Sequence, residues 1–315
     1  CNIRLEIWSQ IDAHTIPCTG KLNTGKLNTG KLKLPSSISK KLLQPTKLPI
    51  SESSPMEQIT NVLRLTDSHC HLDEFEDINV ILRQAEECGV TRMVAVSQNK
   101  SSMQRVLELA DEFPCKILPA LGIHPCCVTR QTQMETEKDF EFLTQHLESV
   151  MILGEAGLDY KWAETHDQKM HQQRLLERQF ELAAQHKKPL NLHARLCLRE
   201  VMDRAISFRR ETGLNVQLHW FTHSKKLAYI CNDEEIFISV GPSIIRQEQN
   251  QAVAMEIDEN LLLLETDAPV PIGGPGHPRR THEVATKLAE MKNVSLAELA
   301  KLTEANFSRF LSHAE

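Results

Sequence analysis

From about residue 60 onward, short apolar runs recur at 62–66, 92–97, 117–123, 150–154, 190–193, 216–220, 236–240 and 261–264, with helix-like segments between them. This alternation constrains the fold more than any other feature of the chain. Parallel strands need long crossover connections, usually a helix, whereas antiparallel strands can be joined by two-residue turns. The intervening segments, such as 77–88, 101–112, 136–148 and 169–187, mix charges and carry helical spacing. In the last of these, Leu175, Leu176, Gln179, Phe180 and Ala183 share one stripe, apolar except for Gln179. Eight such units over roughly 255 residues predict an α/β chain, a (β/α)8 TIM-type barrel, in preference to an open doubly wound sheet. Two further helical stretches, 295–302 and 303–313, are expected after the eighth unit.

Residues 1–58 do not share the pattern. Thr19-Gly20-Lys21-Leu22 recurs from Thr24 and from Thr29, and Pro35, Pro45, Pro49 and Pro55 follow among Ser, Thr and Lys. With so little apolar surface to bury, this segment is predicted to be a disordered low-complexity extension, leaving 59–315 as the barrel. A basic targeting segment is the alternative, weakened by the presence of a single arginine, Arg4. Residues 1–55 carry a balance of +5, so the rest of the chain carries −11 of the net −6. An acidic body argues against a non-specific nucleic-acid coat. It does not exclude nucleic acid as a substrate, because bound divalent cations invert the local field. No apolar run approaches the roughly 18 residues of a membrane span. Nine cysteines without a C-x-x-C pair fit a reducing compartment, cytoplasm or nucleus, better than a disulfide scaffold.

Polar residues interrupt or follow the apolar runs at a common level. Asp67-Ser68-His69-Cys70-His71 follows the first run, Gly154-Glu155-Ala156-Gly157-Leu158-Asp159 the fourth and His193-Ala194-Arg195 the fifth. His219 falls in the sixth, and Glu265-Thr266-Asp267-Ala268-Pro269 follows the eighth. In a barrel the C-terminal ends of all strands converge on one face, where active sites sit. His69 and His71, spaced i, i+2, would both point into that mouth, and such imidazole pairs suit Zn, Mn or Fe. With Glu155, His193, His219 and Asp267 they make six candidate metal ligands. Cys70, on the opposite pleat face, is expected to pack rather than coordinate.

The ordered set D-S-H-C-H-L-D, G-E-A-G-L-D-Y, L-H-A-R, L-H-W-F-T and L-E-T-D-A-P resembles the TatD family of metal-dependent deoxyribonucleases, over nearly all of residues 64–315. The resemblance implies a barrel with two divalent ions, Mg²⁺ or Mn²⁺ with Zn²⁺ as the alternative. His69, His71, Glu155 and Asp267 would hold one, and Glu155 would bridge to a second completed by His193 and His219. The implied activity is phosphodiester hydrolysis of DNA, exonucleolytic, on single strands or 3′ ends, with Glu155 and Asp267 as catalytic carboxylates and Asp267 as proton acceptor. Arg195 and His124 are the expected substrate-binding residues, and Asp159 is expected to orient a neighbour. His223 and the loop Gly273–His282 depart from the family pattern; Arg279 or Arg280 in that loop is a candidate phosphate contact. The alternative function is an amidohydrolase-type C–N or ester (lactone) hydrolase, which often bridges its metals with a carbamylated lysine; here the nearest lysine to Glu155 is Lys161.

Overall fold

The computed structural model describes residues 63–222 and 224–312. The expectations for residues 1–58 and for His223 lie outside the described residues. Among them, the first half of the barrel runs β1 Leu65–Cys70, α1 Ile78–Glu87, β2 Val90–Val96, α2 Lys100–Glu112, β3 Ile117–Leu121, α3 Cys127–Arg130, α4 Gln133–His146 and β4 Ile152–Asp159. The second half runs α5 His166–His186, β5 Leu190–Arg195, α6 Leu198–Thr212, β6 Val216–Leu218, α7 Lys225–Asp233, β7 Phe237–Val240, α8 Glu248–Ala254 and β8 Leu262–Leu264. Two helices, α9 Thr281–Lys292 and α10 Leu296–Leu311, complete it.

The eight strands form one sheet in the order β1 to β8, every neighbouring pair parallel. A strand buried on both faces reads as a continuous apolar run, and Met93 to Val96 of β2 are all fully buried. Helix starts are written locally: Thr132, Thr165 and Ser295 each close a capping box at the head of α4, α5 and α10. Between β8 and β1 the barrel closes with few backbone bonds. Asp267 N donates to His69 O at 3.0 Å and His71 N to Ala268 O at 2.7 Å. Buried Asp67 bridges the seam with its side chain, its Oδ1 accepting from Thr266 N at 3.0 Å.

Two expectations are corrected. The first and fourth strands begin and end later than the apolar runs at 62–66 and 150–154, because β1 and β4 carry on through the polar motifs themselves. Within these motifs, His69 meets Asn191 of β5 and Ser68 accepts from Gln217 of β6, so polar groups there are held by other strands. The stretches 295–302 and 303–313 are one helix, α10. Thr303, at the expected break, is buried with its hydroxyl donating to Leu299 O and Ala300 O one turn back, so the helix passes through it.

Candidate metal centre

The parallel sheet brings six distant side chains to one rim. His69 lies on β1 and His71 just past its end, Glu155 on β4, His193 on β5, and His219 and Asp267 just after β6 and β8. All but His193 are buried, and Glu155 is 1% exposed. The two oxygens of Glu155 face different partners. Oε2 stands 3.6 Å from His69 Nε2 and 3.5 Å from His71 Nε2. Oε1 stands 2.8 Å from His193 Nδ1 and 3.0 Å from His219 Nε2. Asp267 Oδ1 completes the first group, 3.5 Å from His69 Nε2 and 3.3 Å from His71 Nε2.

The separations within the first group fit a cation better than they fit hydrogen bonds. Distances of 3.3–3.6 Å exceed the usual N–H···O range. They match the ~3.4 Å edge of a tetrahedron of donors about 2.1 Å from a central ion. His69 Nε2 and Glu155 Oε2 are buried with no hydrogen-bond partner. The tautomers point the same way. Asn191, whose Nδ2 donates to Ser68 O, turns its Oδ1 to His69 Nδ1 at 2.8 Å, which places the ring proton there and leaves a lone pair on Nε2. On His193 the proton goes to Nε2, 3.2 Å from Asp159 Oδ2. His193 Nδ1 and Glu155 Oε1 therefore present lone pairs to each other at 2.8 Å, an arrangement that asks for positive charge between them. The donor set fits divalent metal.

The electrostatics express the same demand. Burial opposes charge on Glu155, but His124, His69 and His219 outweigh it and hold the carboxyl well below the usual range. Burial likewise opposes charge on Asp267, and His69 and His71 hold it low. Burial would lower His69, yet Glu155 and Asp267 push it up to about 10. Two nearly dry carboxylates thus draw protons onto His69 and His71, and a metal would displace those protons. Burial and the charge of His69 bring His219 down to about 4.

Local backbone explains the motif letters. Gly157, at φ +148, lies so close to β5 that a Cβ would meet His193 O at 2.0 Å, so G-E-A-G brings the strands carrying Glu155 and His193 together. Asp267 and Trp220 take left-handed φ of +53 and +48. Glu265 holds the second of these, its Oε1 accepting from Trp220 N and its Oε2 from Ser239 Oγ, both at 2.6 Å. Burial pushes Glu265 up to about 8.

The expected substrate residues sit differently. His124 faces Glu155 Oε1 at 3.5 Å while its Nδ1 accepts from Cys126 N, so a neutral ring offers an Nε2 proton rather than a lone pair. Arg195 is exposed at the rim, and its charge helps hold Asp159 low against burial and after His193. Cys70 is buried with its thiol at 3.5 Å from Val94 O. Arg280 is not free to take a phosphate. It is buried and donates to Ile272 O at 2.7 Å and to Glu283, stapling the eighth loop. Arg279 is exposed.

Sequence reasoning missed Asn191 and two glutamines. Asn191 sits two residues before His193 on β5, the spacing that puts both inside the barrel, and that signal was available. Gln179, the polar break in the apolar stripe of α5, gives its Oε1 to Ile123 N at 2.8 Å and its Nε2 to Ile123 O at 3.1 Å. Gln172, two turns earlier, binds Asp159 N and O and Pro125 O. Together they tie the loops after β3 and β4 to one helix.

Known proteins resemble this chain over most of its described length. Residues 66–312 match the family model described as TatD related DNase. A Mus musculus protein named putative deoxyribonuclease TATDN3 is 30% identical over 264 residues, covering 78% of this chain and 88% of the relative. An uncharacterized metal-dependent hydrolase from Haemophilus influenzae is 29% identical, covering 78% and 98%. Among solved structures, YJJV, a TatD homologue from Escherichia coli, superposes with a TM-score of 0.70 at 28% identity, covering 79% of this chain and 98% of that one.

Proposed function

This chain belongs to the TatD-related DNase family, whose members are metal-dependent hydrolases, and we propose that it hydrolyses phosphodiester bonds of DNA with two divalent ions, exonucleolytically, on single strands or 3′ ends. The observation that carries this reading is Glu155, one carboxylate whose two oxygens are turned to two separate histidine groups. His69, His71, Glu155 and Asp267 would hold one ion, and Glu155, His193 and His219 the other. Bound there, Mg²⁺ or Mn²⁺ supplies Lewis acidity to a phosphoryl oxygen and acidifies water toward neutral pH.

The chain's own groups do the rest. Asp267, kept ionised by His69 and His71, accepts a proton from the attacking water. His124 offers its Nε2 proton toward the same pocket. Arg195, exposed at the end of β5, grips a phosphate oxygen as a charged donor. An amidohydrolase that bridges its metals with a carbamylated lysine would need that lysine at Glu155; Lys161 is exposed beyond the end of β4 instead. Names of relatives as deoxyribonucleases support DNA as the substrate.

The test is a panel of DNA, RNA, a phosphomonoester, a lactone and an acyl-amine, each with Mg²⁺ or Mn²⁺ and with chelator. DNA cleavage that chelator abolishes is expected. Glu155→Gln and His193→Ala should lower turnover by at least about 10³-fold with the circular dichroism spectrum unchanged. Undiminished cleavage by either variant at unchanged metal content would overturn the site.

A further inference from the structure

Outside the donor cluster, the rim after β3, β4 and β5 gathers an exposed aromatic and three exposed cations. Trp162 is 43% exposed, with the Arg130 guanidinium carbon 5.0 Å from its ring centre. Lys161 and Arg195 are exposed beside it in sequence or across the neighbouring loop. None of the three cations appears in a salt bridge among the described residues. The indole therefore presents nearly half its surface to solvent at a point where positive charge gathers.

The ledge is tied to the candidate site by hydrogen bonds. Trp162 N and Ala163 N both donate to Asp159 O, at 3.3 and 3.2 Å, and Lys161 N to Asp159 Oδ1 at 2.9 Å, while Asp159 Oδ2 faces His193. Ala163 is fully buried, anchoring the turn from below. Gln172 joins Asp159 to Pro125 at the head of the segment leading to Arg130. Tyr160 N donates to Arg195 O at 2.9 Å, joining the loops after β4 and β5. Trp162 is thus one turn of chain from the carboxylate that orients a metal-facing histidine.

Resting on the DNA-hydrolase reading, we propose that Trp162 and Arg130 form a stacking shelf for one unpaired nucleobase of the substrate, while Arg195 and Lys161 hold the phosphates on either side. An indole stacks on any base, and a guanidinium over it strengthens the platform, so the shelf selects for unstacked bases without selecting a sequence. A paired base cannot reach it, so the shelf gives the enzyme a preference for single-stranded ends.

The test is a double-mutant cycle between protein and substrate. Single-stranded oligonucleotides carrying one abasic residue at successive positions from the cleaved end are assayed with wild type, Trp162→Ala and Trp162→Phe. In wild type, one abasic position should lower kcat/KM about 10-fold, through KM rather than kcat. Trp162→Ala should lose about the same factor on intact DNA and show no further loss at that position, with Trp162→Phe in between. Equal, additive losses in wild type and Trp162→Ala at every position would overturn the shelf while leaving DNA hydrolysis standing. Absence of DNA cleavage by wild type in any metal would overturn the hydrolase reading and the shelf with it.

Discussion

At the scale of single residues, the centre depends on which nitrogen of each ring carries a proton. A histidine can offer a lone pair to a cation only if its other nitrogen is protonated, and a fixed acceptor makes that choice. Asn191 does this for His69 and Asp159 for His193. Asn191 is fully buried and also binds Ser68 O through Nδ2, so its amide cannot turn over without losing both bonds. Asn191→Leu keeps the volume and removes the acceptor. It should weaken Mn²⁺ binding about 10- to 100-fold, as measured by competition with a metal indicator. Wild-type affinity in this variant would mean that packing alone sets the His69 ring.

At the scale of elements, what could be read from the sequence divides along a physical line. Apolar periodicity reports burial, so strands such as Ile117–Leu121 and helices such as Lys100–Glu112 were legible to within a few residues. It fails where a strand points polar groups inward, which is why β1 and β4 seemed to stop at the motifs they carry. The polar positions at strand ends marked the six side chains that the rim brings together. Asn191 was marked by its spacing to His193, but Glu265 and Gln172 were not legible, because a buried polar side chain and a solvated one look alike until their partners are known. Helix ends show a similar gap. Both α6 and α9 end on a left-handed residue suited to it, Gly213 and Asn293, but α5 ends on exposed Lys187 at φ +51. A lysine pays a steric penalty in that conformation that glycine avoids. Lys187→Gly should therefore stabilise the protein by about 0.5–1 kcal/mol, raising Tm by about 2 °C in a calorimetric scan. A lower Tm would show that the lysine stem contributes packing at the cap.

At the scale of the whole molecule, the barrel's most sparsely bonded seam runs beside the candidate metal centre. Among the described residues the parallel ladders run from β1 to β8, and the return from β8 to β1 rests on bonds after β8 and on the Asp67 side chain. His69 and His71 lie on one side of that seam and Asp267 on the other, so an ion held by all three would clamp it. A ligand that binds only the folded state stabilises it by about 2.7 kcal/mol at a hundred times its dissociation constant. For a fold of this size that corresponds to a rise of about 5–10 °C in Tm. Removing metal with chelator should therefore lower Tm by that amount, and restoring Mn²⁺ should recover it. Because the clamp acts at the seam, amide exchange in the chelated protein should rise most at His71, Thr266 and Asp267, whose N–H groups cross it. Glu155→Gln should blunt the Mn²⁺ shift without moving the metal-free Tm far. Equal Tm values with and without metal, or exchange rising evenly around the barrel, would separate the centre from the closure of the fold.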